Sequence, residues 1–257
     1  MIERVRVGRV WIDKLTRPEA LERVADLVRA GRGGTVVTPN IDHLVNVEHD
    51  ARLLAAYAKA DLSLVDSQLV LWATHLLGTP LPERLSGSDL VEPLMEFAAK
   101  RGLAVFLLGG SRGAAARSAG LLTARWGVRI AGYDDPFIHT EGAADEADIV
   151  ERIRSTGAQL VLVALGSPKQ ELFMERNRER LAPAVSFGVG ASLDFVAGTV
   201  RRAPKWMSRV GLEWFFRLLQ EPRRLAHRYL VNDPQIVGIL LRTWREPRER
   251  RRTQTGS

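Results

Sequence analysis

The sequence predicts an α/β protein whose largely parallel sheet carries helices on both faces, followed by a basic helical C-terminal appendage. Two patterns predict this fold class. Short β-branched and aliphatic runs alternate with longer helical stretches through about residue 195, which is typical of parallel strands connected by helices. From Pro204 onward the strand-like runs stop and only helical patterns continue. The 257 residues, 46% of them hydrophobic, are enough for one sizeable core.

The predicted elements follow one another in a Rossmann-like order. An opening hairpin or edge strand is predicted at Val5–Ile12. Six further strands are predicted at Thr35–Thr38, Leu62–Val65, Ala104–Leu108, Arg129–Gly132, Leu160–Leu165 and Val185–Val189. Seven helices are predicted between them at Pro18–Ala30, Arg52–Ala60, Leu69–Leu77, Asp89–Lys100, Ala114–Arg125, Glu146–Ser155 and Lys169–Leu181.

Three regions are predicted along the chain. Residues 1–195 form the α/β domain, and residues 196–244 form the helical appendage, with helical stretches at Lys205–Gln220 and Pro222–Leu230. Residues 245–257 (REPRERRRTQTGS) have almost nothing apolar to bury, so we expect a basic disordered tail.

Positive charge is concentrated in the C-terminal segment. Residues 201–257 hold 14 Lys and Arg against 5 Asp and Glu, a net charge of +9, which leaves −2 on residues 1–200 out of the total of +7. Such charge suits nucleic acid, anionic lipid or a phosphorylated substrate. Aromatic residues lie among the arginines, at Trp206, Trp214, Phe215, Phe216, Tyr229 and Trp244. This mixture is typical of a membrane interface, the alternative being an apolar helix face that docks on the core with solvated arginines outside.

The sequence also bears on the compartment. It contains no cysteine, which excludes a disulfide framework and thiolate metal sites. The first residues, MIERVRVGRVWID, place charges where a signal peptide needs an apolar run, and no stretch reaches the roughly 20 apolar residues of a spanning helix. We therefore expect a cytoplasmic protein.

Polar and glycine-rich residues follow the predicted strands. Ligands bind at the carboxyl ends of parallel strands, so these residues predict one binding cleft. They are Thr38-Pro39-Asn40, Asp66, Gly109-Gly110-Ser111, Gly166 to Gln170, and Gly188-Val189-Gly190. The turn in FLLGGSRG suits the approach of a diphosphate to backbone N–H groups, but it lacks the full G-x-G-x-x-G spacing, so a plain tight turn is an equal alternative.

Several blocks carry a family resemblance. They are TPNIDHLVNV, SLVDSQLV, GTPLPERLSGSDLVEPL, FLLGG, LGSPKQELFMERN and GVGASLDFVAGTVRRAPKWMSRVGLEWFFRLLQEPRR. In order and spacing they resemble the TagA/WecG/CpsF family, the N-acetylmannosaminyltransferases and relatives of glycosyltransferase family 26. The resemblance runs from about Thr38 to about Tyr229.

The resemblance implies a reaction and a location. A UDP-sugar carrying N-acetylmannosamine or a related hexose or uronate would donate its sugar, with inversion, to a polyprenyl-diphosphate-linked acceptor. The products serve cell-surface polysaccharide or teichoic acid synthesis. The enzyme would be peripheral on the inner face of the cytoplasmic membrane, against an anionic lipid surface. The donor sugar, the acceptor sugar, the pathway and any homo-oligomer are left open.

An inverting transfer needs a base for the acceptor hydroxyl and a means of stabilising the departing diphosphate. Asp66 directly follows a predicted strand and matches the family's candidate base. The alternative is an N-cap for the helix that starts near Ser67, a position that Asp favours. The two roles are compatible.

Further residues match the family's blocks at the cleft. The donor-binding candidates are Thr38, Asn40, Gly109, Gly110, Gln170 and Asp194. For Thr38 and Asn40 the alternative is turn formation around Pro39, and for Asp194 it is helix capping. Arg84 and Asp89 either contact substrate or form an ordinary ion pair.

Three arginines of the appendage are candidates for the acceptor diphosphate and the membrane. Arg217, Arg224 and Arg228 would share one helix face if the helix ran through Pro222. Guanidinium groups bind diphosphate in a bidentate manner. We predict no cofactor and no obligatory metal, since no histidine pair has metal-ligand spacing and Asp134-Asp135 lacks the D-x-D form.

Two other functions compete. An NAD-dependent oxidoreductase would share the sheet, but it needs the glycine fingerprint in the first βα unit, where this chain has TPN. A nucleic-acid-binding protein would use the basic segment, yet no nucleic-acid motif supports it, so we expect no nucleic-acid partner.

Overall fold

The computed structural model describes residues 2–136, 138–142, 146–247 and 251–254. Its centre is a six-stranded, all-parallel sheet, which confirms the predicted fold class. The sheet strands are β3 (Gly34–Val37), β4 (Leu62–Ser63), β5 (Ala104–Gly109), β6 (Arg129–Asp134), β7 (Leu160–Ala164) and β8 (Val185–Gly188). Their spatial order is β4-β3-β8-β7-β5-β6.

Helices connect these strands and continue after them. Those of the α/β domain are α1 (Arg17–Ala30), α2 (Ile41–His49), α3 (Ala51–Lys59), α4 (Gln68–Leu76), α5 (Gly87–Lys100), α6 (Ala114–Trp126), α7 (Glu146–Ser155), α8 (Lys169–Arg176), α9 (Arg178–Leu181) and α10 (Ser192–Ala197). Those of the C-terminal segment are α11 (Lys205–Arg209), α12 (Glu213–Gln220), α13 (Pro222–His227) and α14 (Ile236–Arg245). A π turn (Arg228–Asn232) and a 3-10 turn (Asp233–Gln235) join α13 to α14.

Alternation along the strands gives the sheet an apolar core on each face. In β5, Val105 and Leu107 belong to the core under α1, α5, α6 and α10, whereas Phe106 and Leu108 belong to the core on the other face. Successive side chains of a strand point to opposite faces, so a strand covered on both sides is apolar throughout. This is why continuous runs such as VFLL predicted the strands.

The N-terminal hairpin forms a separate antiparallel sheet. β1 (Glu3–Val7) pairs with β2 (Val10–Asp13), and β1 also pairs with β9 (Arg252–Gln254). The predicted tail therefore contains a strand where its composition indicated disorder. Strand pairing uses backbone groups and needs no apolar side chains. The tail's residues 248–250 and 255–257 lie outside the described residues.

Several helices differ from their predicted extents. The predicted Lys169–Leu181 helix breaks at Asn177, between α8 and α9. The predicted Lys205–Gln220 helix breaks between α11 and α12 near Gly211, whose φ of 72° is incompatible with a continuous right-handed helix. Helices α2, α10 and α14 were not predicted.

The last helix, α14, is docked on the α/β domain. It packs against α2 and β1, and Ile239 is 5% exposed while Ile236 and Leu240 cover the core. Within the part of the chain that the structure describes, no helix has the length and apolar character needed to cross a bilayer.

Candidate active site

A polar cleft lies at the carboxyl ends of the parallel strands. Its larger chamber, about 430 Å³, is lined by the loops after β3, β5, β7 and β8. A smaller chamber of about 110 Å³ adjoins it beneath α12. The two chambers share the lining residues Asn40, Asp66, Glu213, Arg217 and Arg228. Residues from both ends of the chain therefore meet at one place.

The cleft brings together most of the residues singled out from the sequence. The larger chamber is lined by Thr38, Asn40, Asp66, Gly110, Gln170, Asp194, Arg217 and Arg228 among others, and Arg84 lines the smaller one. Gly109 and Asp89 are not lining residues. Gly109 precedes Gly110 in the turn after β5, and Asp89 pairs with Arg84. Arg224 lies on α13, but its side chain is outside the described part of the structure.

Asp66 lies where the two chambers join. Its backbone N–H donates to the Pro39 carbonyl at 3.0 Å, which fastens it to the loop after β3. The N-cap of α4 is Ser67, whose Oγ accepts from the backbone N–H of Val70, so the capping role considered for Asp66 belongs to its neighbour. The Asp66 carboxyl faces the cleft instead.

The surroundings of Asp66 favour its protonated form. Burial in the cleft, followed by the negative charge of Glu213, raises the pKa of Asp66 to about 8, while Arg84 and Arg217 oppose the rise. A carboxyl that titrates near neutral pH suits proton transfer, because it can accept and release a proton under ordinary conditions.

Arg84 and Asp89 form an ion pair that extends to the C-terminal segment. Arg84 lies 2.6 Å from Asp89 and 3.3 Å from Glu213, and Arg202 pairs with the second oxygen of Asp89. Although burial raises the pKa of Asp89, the charges of Arg84 and Arg202 hold it below its usual value overall. The network joins the loop before α5 to α12, which covers the smaller chamber.

Thr38 and Asn40 are fixed by local hydrogen bonds. Thr38 Oγ1 donates to the Gly188 carbonyl at 3.2 Å, and Asn40 Oδ1 accepts from the backbone N–H of His43, capping α2. His43 is buried, its Nδ1 lies 2.8 Å from the Tyr57 hydroxyl, and burial together with the charge of Arg228 lowers its pKa to about 3. His43 is therefore neutral at physiological pH.

The glycine turn after β5 is shaped by close backbone contacts. Gly109 has a φ of 93°, and a Cβ on it would lie 2.7 Å from the Ala164 carbonyl oxygen. The Gly110 N–H donates to that same carbonyl at 2.8 Å, and the Ser111 N–H donates to Asp194 at 2.9 Å. Asp194 thus holds the turn from α10, and these two N–H groups are engaged within the protein.

Gln170 holds the loop after β8. Its Oε1 accepts from the Gly190 N–H at 3.0 Å, and its Nε2 donates to Glu171 at 2.8 Å. Burial raises the pKa of Glu171, which lies beneath the chamber floor. Gln170 lines the chamber, and its amide holds the loop after β8 through Gly190.

The appendage contributes cations to the cleft. Arg228 Nε lies 3.1 Å from Asp42, whose pKa is raised by burial despite this charge. Arg217 lines both chambers, and its buried Nε has no hydrogen-bond partner in the described ranges. Its guanidinium is available to an anionic ligand.

Glu213 and His43 are among the cleft residues that sequence reasoning missed. Glu213 lies within the GLEW block, and the pairing of its carboxylate with Arg84 is visible only after folding. His43 follows Asn40 by three residues, and this spacing places it in the first turn of α2. In the ranges 2–136, 138–142, 146–247 and 251–254, no group of three His, Asp or Glu residues is arranged to hold a metal ion.

Comparison with known protein families gives one match over most of the chain. The model of the glycosyl transferase WecG/TagA/CpsF family matches residues 5–250. The match extends beyond the resembling blocks into the N-terminal hairpin and past α14. It therefore covers both the sheet and the C-terminal segment that meet at the cleft.

Proposed function

This chain belongs to the glycosyl transferase WecG/TagA/CpsF family, which confirms the resemblance, and from that membership we propose an inverting transfer from a UDP-sugar to a polyprenyl-diphosphate-linked sugar. Membership makes the protein a glycosyltransferase of cell-surface polysaccharide synthesis. The proposed donor carries N-acetylmannosamine or a related hexose or uronate. The observation that carries the proposal is the position of Asp66, between the strand-end chamber and the arginines of α12 and the π turn.

The donor is proposed to occupy the larger chamber. Thr38, Asn40 and Gly110 line its wall. The diphosphate is proposed to lie beside the Gly109-Gly110 turn, where Gly110 presents no side chain to the chamber. Asp194 and Gln170 keep the two flanking loops in place. A chamber of about 430 Å³ is within the range of small-molecule sites.

The acceptor hydroxyl is proposed to approach Asp66 from the smaller chamber. The Asp66 carboxylate takes the hydroxyl proton while the acceptor oxygen forms its bond to the anomeric carbon. The bond from that carbon to the UDP oxygen breaks on the opposite face, and its electron pair leaves with the diphosphate. Attack and departure on opposite faces invert the configuration.

Cations at the cleft would stabilise the charge that develops. Arg217 and Arg228 line both chambers, and guanidinium groups pair with phosphate oxygens. Arg224 is proposed to join them. With these cations we propose a reaction that needs no obligatory metal and no cofactor, carried out by a peripheral protein on the anionic inner face of the cytoplasmic membrane.

A product assay tests the proposal. UDP-sugars are screened against a short-chain polyprenyl-diphosphate-GlcNAc acceptor, with and without EDTA, and products are identified by mass spectrometry. We expect one UDP-sugar to give a disaccharide product in both conditions. In parallel, millimolar UDP should raise the thermal midpoint, since a ligand of the native state stabilises it. A shift with NAD and none with UDP would contradict the proposal.

A further inference from the structure

Helix α4 carries an exposed apolar stripe that begins at the cleft. Leu69, Trp72 and Leu76 are exposed by 37%, 44% and 84%, and their spacing of three and four residues places them on one side of the helix. Leu69 lines the smaller chamber beside Asp66. The stripe therefore runs from the site to the far end of α4, about 10 Å away at 1.5 Å per residue.

A second apolar stripe on α14 faces the far end of the first. Val237, Leu241 and Trp244 are exposed and recur with helical spacing. With Leu76 and neighbouring apolar residues they line a groove of about 480 Å³ between α4 and α14. All the residues lining this groove are apolar, in contrast to the polar lining of the cleft.

The cleft at one end of the α4 stripe is polar, and the groove at its other end is apolar. The cleft end holds Arg217 and Arg228, which suit an anionic head group, and the stripe and groove suit a hydrocarbon chain. An amphiphile with an anionic head and one long chain matches both, and a groove of this volume is within the range of ligand sites. Contiguous exposed apolar surface of this kind marks an interaction site.

We propose that the isoprenoid chain of the acceptor lies along the α4 stripe and in the groove between α4 and α14. The proposal rests on the proposed function, since it takes the acceptor to be a polyprenyl diphosphate. It assigns the recognition of chain length to Leu76 and Leu241, residues that are far from the reacting atoms.

The test compares acceptors of two chain lengths. In detergent solution, kcat/KM is measured for a polyprenyl acceptor long enough to reach the groove and for one of two isoprene units. The variant Leu76→Ser with Leu241→Ser is compared with Leu121→Ser, which removes from α6 a leucine whose exposed fraction, 47%, is close to the 52% of Leu241. We expect the double variant to lower kcat/KM for the long acceptor about tenfold or more, because each buried leucine is worth roughly that factor. The short acceptor and the control should be unaffected.

Three outcomes would overturn the inference. The first is an unchanged ratio of long-chain to short-chain kcat/KM in the double variant. The second is a variant that loses only co-sedimentation with vesicles, which would mean that the apolar face of α4 and α14 contacts the bilayer. The third is a variant that loses only self-association, which would mean that a second copy of the chain covers this face.

A binding measurement separates this inference from the proposed function. Polyprenyl monophosphate in detergent is titrated while tryptophan fluorescence, including that of Trp244, is recorded. If the wild type transfers no sugar to any acceptor but binds this lipid about tenfold more tightly than the double variant, the proposed function fails and the groove assignment stands. Equal binding by both proteins would overturn the assignment.

Discussion

At the scale of single residues, Asp66 is the group on which the proposed chemistry depends. Asp66→Asn keeps the shape of the side chain but cannot accept the proton of the acceptor. Loss of a general base typically lowers turnover by about 10²–10⁴-fold. We expect the variant to bind UDP with unchanged affinity, measured by calorimetry, and to lose turnover by that factor. Near-normal turnover would show that Asp66 only shapes the loop.

The same substitution has a consequence for stability. Asp66 has a pKa of about 8 in the folded protein and about 3.9 when unfolded. Between these values the folded state binds more protons, so the contribution of Asp66 to stability falls as the pH rises from about 4 to 8. Asn cannot ionise, so the variant does not lose this stability as the pH rises. We therefore expect the Tm of Asp66→Asn to exceed that of the wild type increasingly from pH 5 to pH 8, and a constant difference would contradict the raised pKa.

At the scale of elements, α12 raises the pKa of the proposed base, Asp66, through Glu213. The charge of Glu213 raises the pKa of Asp66, and Glu213 also pairs with Arg84, whose charge lowers it. Glu213→Gln removes the first effect and frees Arg84 to strengthen the second. We expect the acid limb of kcat/KM, set by Asp66 near pH 8, to move to lower pH. Glu151→Gln, an exposed change on α7, is the matched control. An acid limb at the same pH in both variants would contradict the coupling between Glu213 and Asp66.

The contribution of the appendage arginines to turnover and vesicle binding can be tested by charge reversal and by salt. Replacing Arg217 and Arg228 by Glu reverses two charges that line the cleft. We expect turnover on the lipid acceptor to fall at least about tenfold, since hydrogen bonds to charged groups contribute roughly 1.5–3 kcal/mol each. Binding to anionic vesicles should also weaken, and wild-type binding should fall as salt rises. Salt-independent vesicle binding would argue against an electrostatic contact.

The elements show what sequence could and could not predict. The sheet was predictable because buried parallel strands are continuous apolar runs, and the cleft followed because such strands end together. Helix α2 was missed because its buried Asp42 and His43 interrupt the apolar pattern, and α14 was missed because Asn232-Asp233-Pro234 resembles a terminating turn. The pairs Ser111 with Asp194 and Arg84 with Glu213 join residues more than 80 positions apart, and local patterns carry no information about them.

At the scale of the whole molecule, the C-terminal segment is part of the core as well as of the cleft. Leu225 is 1% exposed and Ile239 is 5% exposed. Truncation after Ala203 removes both and uncovers the face of α2 and β1 against which α14 packs. Each buried apolar side chain contributes about 2–5 kcal/mol. We expect the Tm to fall by at least about 10 °C.

A point substitution calibrates that loss. Ile239→Ala keeps the segment and removes one buried side chain, so its Tm should lie between those of the wild type and the truncated chain in thermal denaturation. A truncated protein as stable as the intact one would mean that α14 contributes nothing to the core.

The parallel sheet cannot finish folding until strand β8 is in place. It pairs with β3 on one side and β7 on the other, and β3 precedes it by about 150 residues. On the ribosome, β3 with β4 and β5 with β6 and β7 emerge as two half-sheets, each with an edge that awaits β8. Such edges are open to wrong pairing, and long-range pairing is slow. Asp66 belongs to the first half-sheet and Gln170 to the second, so a nascent chain has no complete cleft until β8 joins them. Binding of the proposed UDP-sugar donor would therefore report the last step of folding.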